Sequence, residues 1–517
     1  MASASSKIVT LNTHGVSFQD VIDVARDGTK VVLSPESVAA MNFSRKYIEE
    51  YAAGGTPVYG VSTGFGALAN RYIDISDRTQ LQKSLIRSHA AGIGPAVETE
   101  VVRALMFLRL RTMASGRTGV RTKLAQSYVD FLNAGITPVV PEFGSLGCSG
   151  DLAPLSHCAL ALMGEGRVRD HHEIEMDSLV AMKAAGIEPI ELEAKEGLAL
   201  INGTDGMLGM LIMACADLAD LCAVADITTA MSIEGLLGTD RVFAPELHFP
   251  LRPQIGQAIS AANIYAMLNG SGIVASHREN DSRVQDAYSL RCAPQVNGAV
   301  RDTVSYAATI AGRELASSID NPVVLPDGRV ESNGNFHGAP VAYVLDFLAI
   351  AACDLGSMAE RRTDRALDHH RSAGLPPFLA HDPGVDSGLM MAQYTQAALV
   401  SENKRLASPA SVDSIPSSAM QEDHVSMGWS AARKLRKVVD NLARILAIEL
   451  VTAARAIELR SGLSPSPATG AVIAELRKTV AGVGPDRFLS PELEAAVKFV
   501  IAKKATSAAR SVVNDLA

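Results

Sequence analysis

The chain has 517 residues, a formal net charge of −9, and a composition that is 47% hydrophobic, 5% aromatic and 20% charged. The acidic balance, with no basic run or basic/aromatic stripe, excludes nucleic acid and other polyanions as expected partners. The length allows three or four average domains or one large architecture, and a core this poor in aromatics must be built from Ala, Leu, Val, Ile and Met, which favours helices.

Met1–Lys7 lacks a long apolar region behind a basic start, so no secretory signal is expected. The most apolar stretch, Met207 to Met231, is broken by Asp217, Asp220 and Asp226 and reads as a buried helix rather than a membrane span. The six cysteines show no C-x-x-C and no metal-type grouping with His; five read as small buried hydrophobes in a reducing, cytoplasmic setting, with Cys148 the exception.

In chain order, Lys30–Leu33 predicts a strand, and Ser34-Pro35 an N-cap and N1 pair opening a helix to about Tyr51, stopped by Gly54-Gly55-Thr56-Pro57. Gly60, Gly64 and Gly66 favour an irregular, mobile loop carrying Tyr59. Helix is predicted from Gln80, with Val120, Leu124, Tyr128, Phe131 and Leu132 on one face before Gly135. Asp151 is expected to cap a helix that Pro154 helps to begin and that runs to about Met163.

A polar, hairpin-like excursion at 165–195 is followed by apolar helix over 196–240, interrupted by the loop Asn202–Gly206. Further helices fit 256–270, 299–318, 336–370, 386–406 and 429–461, the last apolar nearly all round and so buried in a bundle or by neighbouring subunits. His171-His172 and His369-His370, the latter on a predicted helix where neighbours point apart, lack the i,i+4 spacing of a ligand pair, so no metal is expected. The simplest parse is one catalytic body: 1–200 with the Tyr loop, 201–463 as a central helical bundle and 464–517 as a helical tail.

The stretch Gly144-Ser-Leu-Gly-Cys-Ser-Gly-Asp-Leu-Ala-Pro-Leu-Ser-His157 carries an unusual possibility. The nitrogen of Gly150, unhindered by a Cβ, can bend back onto the Cys148 carbonyl; loss of two waters would then leave an imidazolone whose methylidene comes from Ser149. By itself the stretch also reads as a turn before a capped helix. It resembles the self-processing motif of the aromatic amino acid ammonia-lyase and aminomutase family, whose prosthetic group is 4-methylideneimidazol-5-one (MIO).

Further matches run from Tyr59 to about Arg460 in family order. The resemblance implies a mainly α, long-helix bundle of the ammonia-lyase (fumarase/aspartase-like) superfamily, with a small mixed N-terminal part carrying the active-site loop. It also implies a homotetramer with shared active sites and an MIO electrophile made from Cys148-Ser149-Gly150, without metal or exogenous cofactor. Tyr59 in Tyr-Gly-x-x-Thr-Gly-Phe-Gly matches the family's base for the β proton; with an ordinary pKa of about 10 it would need a positive field to act as phenolate.

Asn202 in Ile-Asn-Gly-Thr matches the residue that holds the ring carbonyl or amino group. Gln285, Tyr288 and Arg291 are three apart, so a helical turn would present them together, with Arg291 clamping the substrate carboxylate. Phe336 in Gly-Asn-Phe-His would pack near the ring, while Asp320-Asn321-Pro322 reads as structural.

Within the family, Ser88-His89 resembles the histidine-specific pair, and Gln421-Glu422-Asp423-His424-Val425-Ser426-Met427 resembles the matching segment of histidine lyases. His89 can bond an imidazole nitrogen that an apolar residue would leave unpaired, at a cost of about 1–3 kcal/mol. A Glu422 carboxylate suits an N–H-bearing ring and penalises a phenyl ring, and the resemblance implies that Glu422 is also catalytic, assisting transfer of the β proton. The implied reaction is L-histidine to trans-urocanate and ammonia, the first step of histidine degradation. The alternatives are an aminomutase, a lyase for another aromatic amino acid, or a non-catalytic helical scaffold. Two departures, Cys148 for the commoner Ala and Met420 for the commoner Asn, resemble actinobacterial-type members and remove no essential group.

Overall fold

The computed structural model describes residues 7–54, 58–279, 281 and 283–517. Helices dominate them, with four small sheets of two or three strands. The chain divides into two compact units, the first comprising residues up to Met213, Ala308–Leu345 and Pro409–Arg433, and the second Ala214–Ala307, Asp346–Ser408 and Lys434–Ala517.

In the first unit, strand Ile8–Leu11 pairs in parallel with Lys30–Leu33, the predicted strand, across helix Phe18–Arg26. Ser34 caps Pro35–Ala53 through the Ser37 amide, as its sequence predicts, and Gly54 ends it by donating to the Glu50 carbonyl. The rest of the predicted stop, Gly55–Pro57, and all of Met1–Lys7 except Lys7 lie outside the described residues.

Helix Thr99–Ala114 runs through the core, with Leu105, Phe107 and Leu110 fully buried. Leu124, Tyr128 and Phe131 do the same from Thr122–Ala134, which ends at Gly135 with φ +71°. The polar excursion contains an antiparallel pair, Arg167–Arg169 with Glu175–Asp177, followed by helix Ser178–Ala185.

From Lys434 onward helix Gly428–Glu458 belongs to the second unit, where it buries Leu442, Ile445, Leu446 and Leu450 completely. Glu449 on the same stretch meets the buried Arg362 at 3.0 Å and accepts from the Thr228 and Ser232 hydroxyls, so the core charge is paired and hydrogen-bonded as burial requires. Helices Asp205–Gly235 and Ala339–Leu367 are long and apolar enough to cross a membrane by length and composition alone. Buried Asp226 on the former is held by Asn263, Asn297 and Arg301 at 2.8–2.9 Å, the arrangement of a helix packed in protein.

Two local expectations are corrected here. Helix Tyr288–Arg291 starts only after Ala287, so Gln285 precedes it and the three residues do not share one helical turn. His369-His370 lies in the turn beyond Leu367, where the rings sit 3.7 Å apart instead of pointing apart. The i,i+3 and adjacent-residue rules assume helical backbone, and neither segment supplies it.

Candidate active site

The turn at Gly147–Asp151 is built by glycine. Gly147 and Gly150 adopt φ +76° and +81°, and Gly150 pairs back onto both Gly147 and Cys148. A Cβ on Gly150 would strike the Gly203 carbonyl, and one on Gly147 the Ser426 carbonyl, so conformation and space both demand glycine. The Asp151 amide donates to the Gly203 carbonyl at 2.8 Å, stitching the turn to the Asn202–Gly206 loop.

Asp151 precedes helix Leu152–Leu162, but its side chain does not cap it. The carboxylate instead accepts from the Met207 amide at 2.9 Å and the Ser145 hydroxyl at 3.1 Å, satisfying the first turn of helix Asp205–Gly235. Burial pushes this carboxyl up to about 7, against the lowering effect of those bonds.

A cavity of about 660 Å³ opens beside the turn, and Tyr59, His89, Ser149, Asn202 and Glu422 all line it. Helix Arg78–His89 ends there, with His89 Nδ1 3.0 Å from Ser88 Oγ. Burial lowers the His89 pKa and favours the neutral ring, opposed by the Leu85 carbonyl and the Glu422 charge. The Tyr59 hydroxyl accepts from the Gly66 amide at 3.3 Å, and its ring stands edge-on to Phe65.

Burial raises the Tyr59 phenol above its ordinary value, and the Glu422 charge adds to this against the Gly66 bond. Burial is thus what opposes ionisation of the phenol; of its two neighbours the Gly66 amide, which favours the phenolate, outweighs the Glu422 charge.

Asn202 follows helix Glu196–Ile201 and donates through Nδ2 to the Asn321 carbonyl at 2.9 Å. Its own carbonyl accepts from Arg109, which also reaches the Ile319 carbonyl at 2.6 Å and lies 3.4 Å from Asp205. Behind it, Lys195 and Asp320 form a fully buried pair at 2.5 Å. The Asp320-Asn321 segment thus braces the wall that carries Asn202.

Glu422 sits at the far side, on a loop in which Ser418, Ala419 and Met420 have φ of 50°, 52° and 68°. The loop closes by backbone bonds in both directions between Ser417 and Glu422, at 3.0 and 3.3 Å. Ser417 Oγ donates to Glu422 Oε2 at 2.8 Å and contacts the Cys148 thiol at 3.1 Å. Ser418 Oγ accepts from the Ala67 amide, tying this loop to the one that bears Tyr59.

Cys148 and Gly150 line an adjoining space of about 230 Å³ that shares His89. Phe336 is half-buried in the turn before Gly338 and is not among the lining residues; the adjacent His337 stacks on His424 at 5.6 Å. Gln285, Tyr288 and Arg291 belong to the second unit, where the Arg291 guanidinium lies 4.6 Å over the Tyr288 ring. The Arg291 Nε is buried with no hydrogen-bond partner among the described residues.

Sequence reasoning missed Ser417, Ser418 and the outward reach of Asp151. Their proximity in sequence to Glu422 and Ser149 was the only signal, and the partners Cys148, Ala67 and Met207 lie far along the chain. Among the described residues, no group of three or more His, Cys, Asp and Glu side chains gathers as a metal site.

The sequence model for the family described as aromatic amino acid lyase matches residues 16–478. The chain is 65% identical over 512 residues to the histidine ammonia-lyase of Streptomyces griseus, covering 98% of this chain and 99% of that one. Among solved structures, tyrosine aminomutase from Streptomyces globisporus superposes with a TM-score of 0.91 at 38% identity, covering 97% of this chain and 98% of its own. Histidine ammonia-lyase from Trypanosoma cruzi does so at 0.90 and 36%, covering 98% and 96%. A match this long, on a helical body whose glycine turn faces a cavity with Tyr59 and Asn202, places the chain in the aromatic amino acid lyase family.

Proposed function

We propose that this chain removes ammonia from L-histidine to give trans-urocanate, the first step of histidine degradation, working as a cytoplasmic homotetramer with shared sites. The observation that carries the reading is one cavity lined by Ser149, Tyr59, Asn202, His89 and Glu422. Cys148, Ser149 and Gly150 fit the family's MIO group, because the turn folds Gly150 back on Cys148 where no Cβ has room. Once formed, the group supplies an electrophile for the substrate amine.

The Tyr59 oxygen takes the β proton. Asn202 gives an amide proton to Asn321, so its Oδ1 is assigned to the substrate amine. His89 and Glu422 meet the imidazole, and Arg291, with its unpartnered Nε, clamps the carboxylate of substrate bound in the assembled oligomer, supported by Tyr288 and Gln285. Phe336, which lies off the cavity lining, is assigned to pack near the ring on its Gly-Asn-Phe-His motif alone.

The test is a urocanate absorbance assay with histidine, phenylalanine and tyrosine in parallel, beside an intact mass showing loss of two waters. Ser149→Ala should abolish both signals in a folded protein. His89→Leu should lower kcat/KM for histidine by about 5- to 150-fold, the equivalent of one unpaired polar group; unchanged turnover would remove the substrate argument. Because burial raises Tyr59 and the base must be ionised, kcat/KM should climb with pH on the alkaline side, and Tyr59→Phe should erase that climb. β-Histidine as the main product would point to an aminomutase instead.

A further inference from the structure

The Cys148, Ser417 and Glu422 side chains form a continuous hydrogen-bonded chain. Ser417 has one hydroxyl proton, and its 2.8 Å bond directs that proton toward Glu422 Oε2, which accepts it as a hydrogen bond. The 3.1 Å contact with Cys148 must then run the other way, with the thiol donating to Ser417 Oγ. Burial, chiefly, pushes the Cys148 thiol up, and the nearby Glu422 charge pushes it further against the lowering effect of Ser417, so the thiol keeps the proton it donates. All three side chains are only partly buried, and the two ends of the chain line two adjoining cavities, Glu422 the larger and Cys148 the smaller.

The backbone around Ser417 shows how firmly it is placed. Three consecutive non-glycine residues in the left-handed region each cost about 1–2 kcal/mol, and such conformations persist only where surrounding structure fixes them. Here they fold the loop so that Ser417 and Glu422 pair through backbone in both directions and through side chains as well.

We propose that Ser417 is a positioning residue that fixes the Glu422 carboxylate for the substrate ring, with the Cys148 thiol holding the Ser417 hydroxyl in its donating orientation. This rests on the histidine reading for the ligand that Glu422 meets. It gives Cys148 a task apart from its backbone carbonyl: the thiol orders a carboxylate that an alanine at the same position would leave to Ser417 alone.

Ser417→Ala should lower kcat/KM for histidine about tenfold, the scale of one bond to a charged group. Affinity for urocanate, measured by titration, should fall in step, while the intact mass still lacks two waters. Ser417→Thr, which keeps the hydroxyl, should recover most of the loss, and Cys148→Ala should show a smaller one of the same kind. In a Glu422→Gln background, Ser417→Ala should cost no more than about twofold, since coupled residues are not additive.

An unchanged urocanate affinity in Ser417→Ala, a failure of Thr to rescue, or a full tenfold loss in the Glu422→Gln background would overturn the proposal. A parent enzyme that makes no urocanate would sink the histidine reading alone, and the same comparison would then be scored on whichever aromatic amino acid the parent deaminates.

Discussion

Two tight turns face the same cavity and reach left-handed backbone by opposite means. At Gly147 and Gly150 the residue without a Cβ makes positive φ inexpensive, and neighbouring carbonyls leave no room for anything larger. At Ser418–Met420 three residues with side chains hold the same kind of backbone under strain, and Ala419 and Met420 point into open surroundings. The first turn brings the Gly150 backbone back onto Gly147 and Cys148, where side chains are excluded. The second must present hydroxyls and a carboxylate, so side chains are required, and the strain is offset by the bonds that Ser417 and Ser418 make.

The sharpest way to break this contrast is Gly150→Ala. Its methyl would strike the Gly203 carbonyl in a left-handed conformation, costing roughly 2–5 kcal/mol. The expected product keeps both waters in its intact mass, forms no urocanate and unfolds at lower urea. A fully dehydrated, active variant would show that the turn does not depend on glycine.

Next comes the support behind that turn. Asp151 is pushed up to about 7 when folded, from an ordinary 3.8, so between those pH values the folded chain binds a proton that the unfolded chain has lost. Stability should therefore fall as pH rises through this window, by at most about 4 kcal/mol. Urea titrations across pH 4–7 should show that slope in the parent and lose it in Asp151→Asn; equal slopes would place the proton elsewhere.

The smallest effect belongs to the strained loop. Met420 is exposed at φ 68°, a conformation that Asn tolerates better. Met420→Asn should gain up to about 1 kcal/mol, read as a higher urea midpoint with unchanged urocanate formation. A loss would mean that the Met side chain itself holds the loop.

The helical architecture was legible because aliphatic periodicity and local caps such as Ser34 act within a few residues. Membership of the family was legible from motifs whose residue types are tied to backbone chemistry, Gly150 above all. What escaped reading depends on distant partners. Asp151 looks like a local cap, yet an amide 56 residues on outcompetes its own helix. Ser417 has no distinguishing local pattern, and its contact with Cys148 spans 269 positions. The Gln285–Arg291 spacing misled because the helix begins only at Tyr288, after the Ala287 cap, and leaves Gln285 outside it.

The buried charges behind Asn202 bear on how such a pocket can change over generations. Lys195 with Asp320 and Arg109 with Asp205 sit out of water, and removing one member of such a pair strands the other at a cost of about 3–5 kcal/mol. That wall can be altered only by coordinated replacement, which single mutations do not supply. Ser88 and His89, at a partly exposed helix end, carry no such constraint. A lineage can therefore vary the Ser88–His89 end one substitution at a time while the wall behind Asn202 stays fixed.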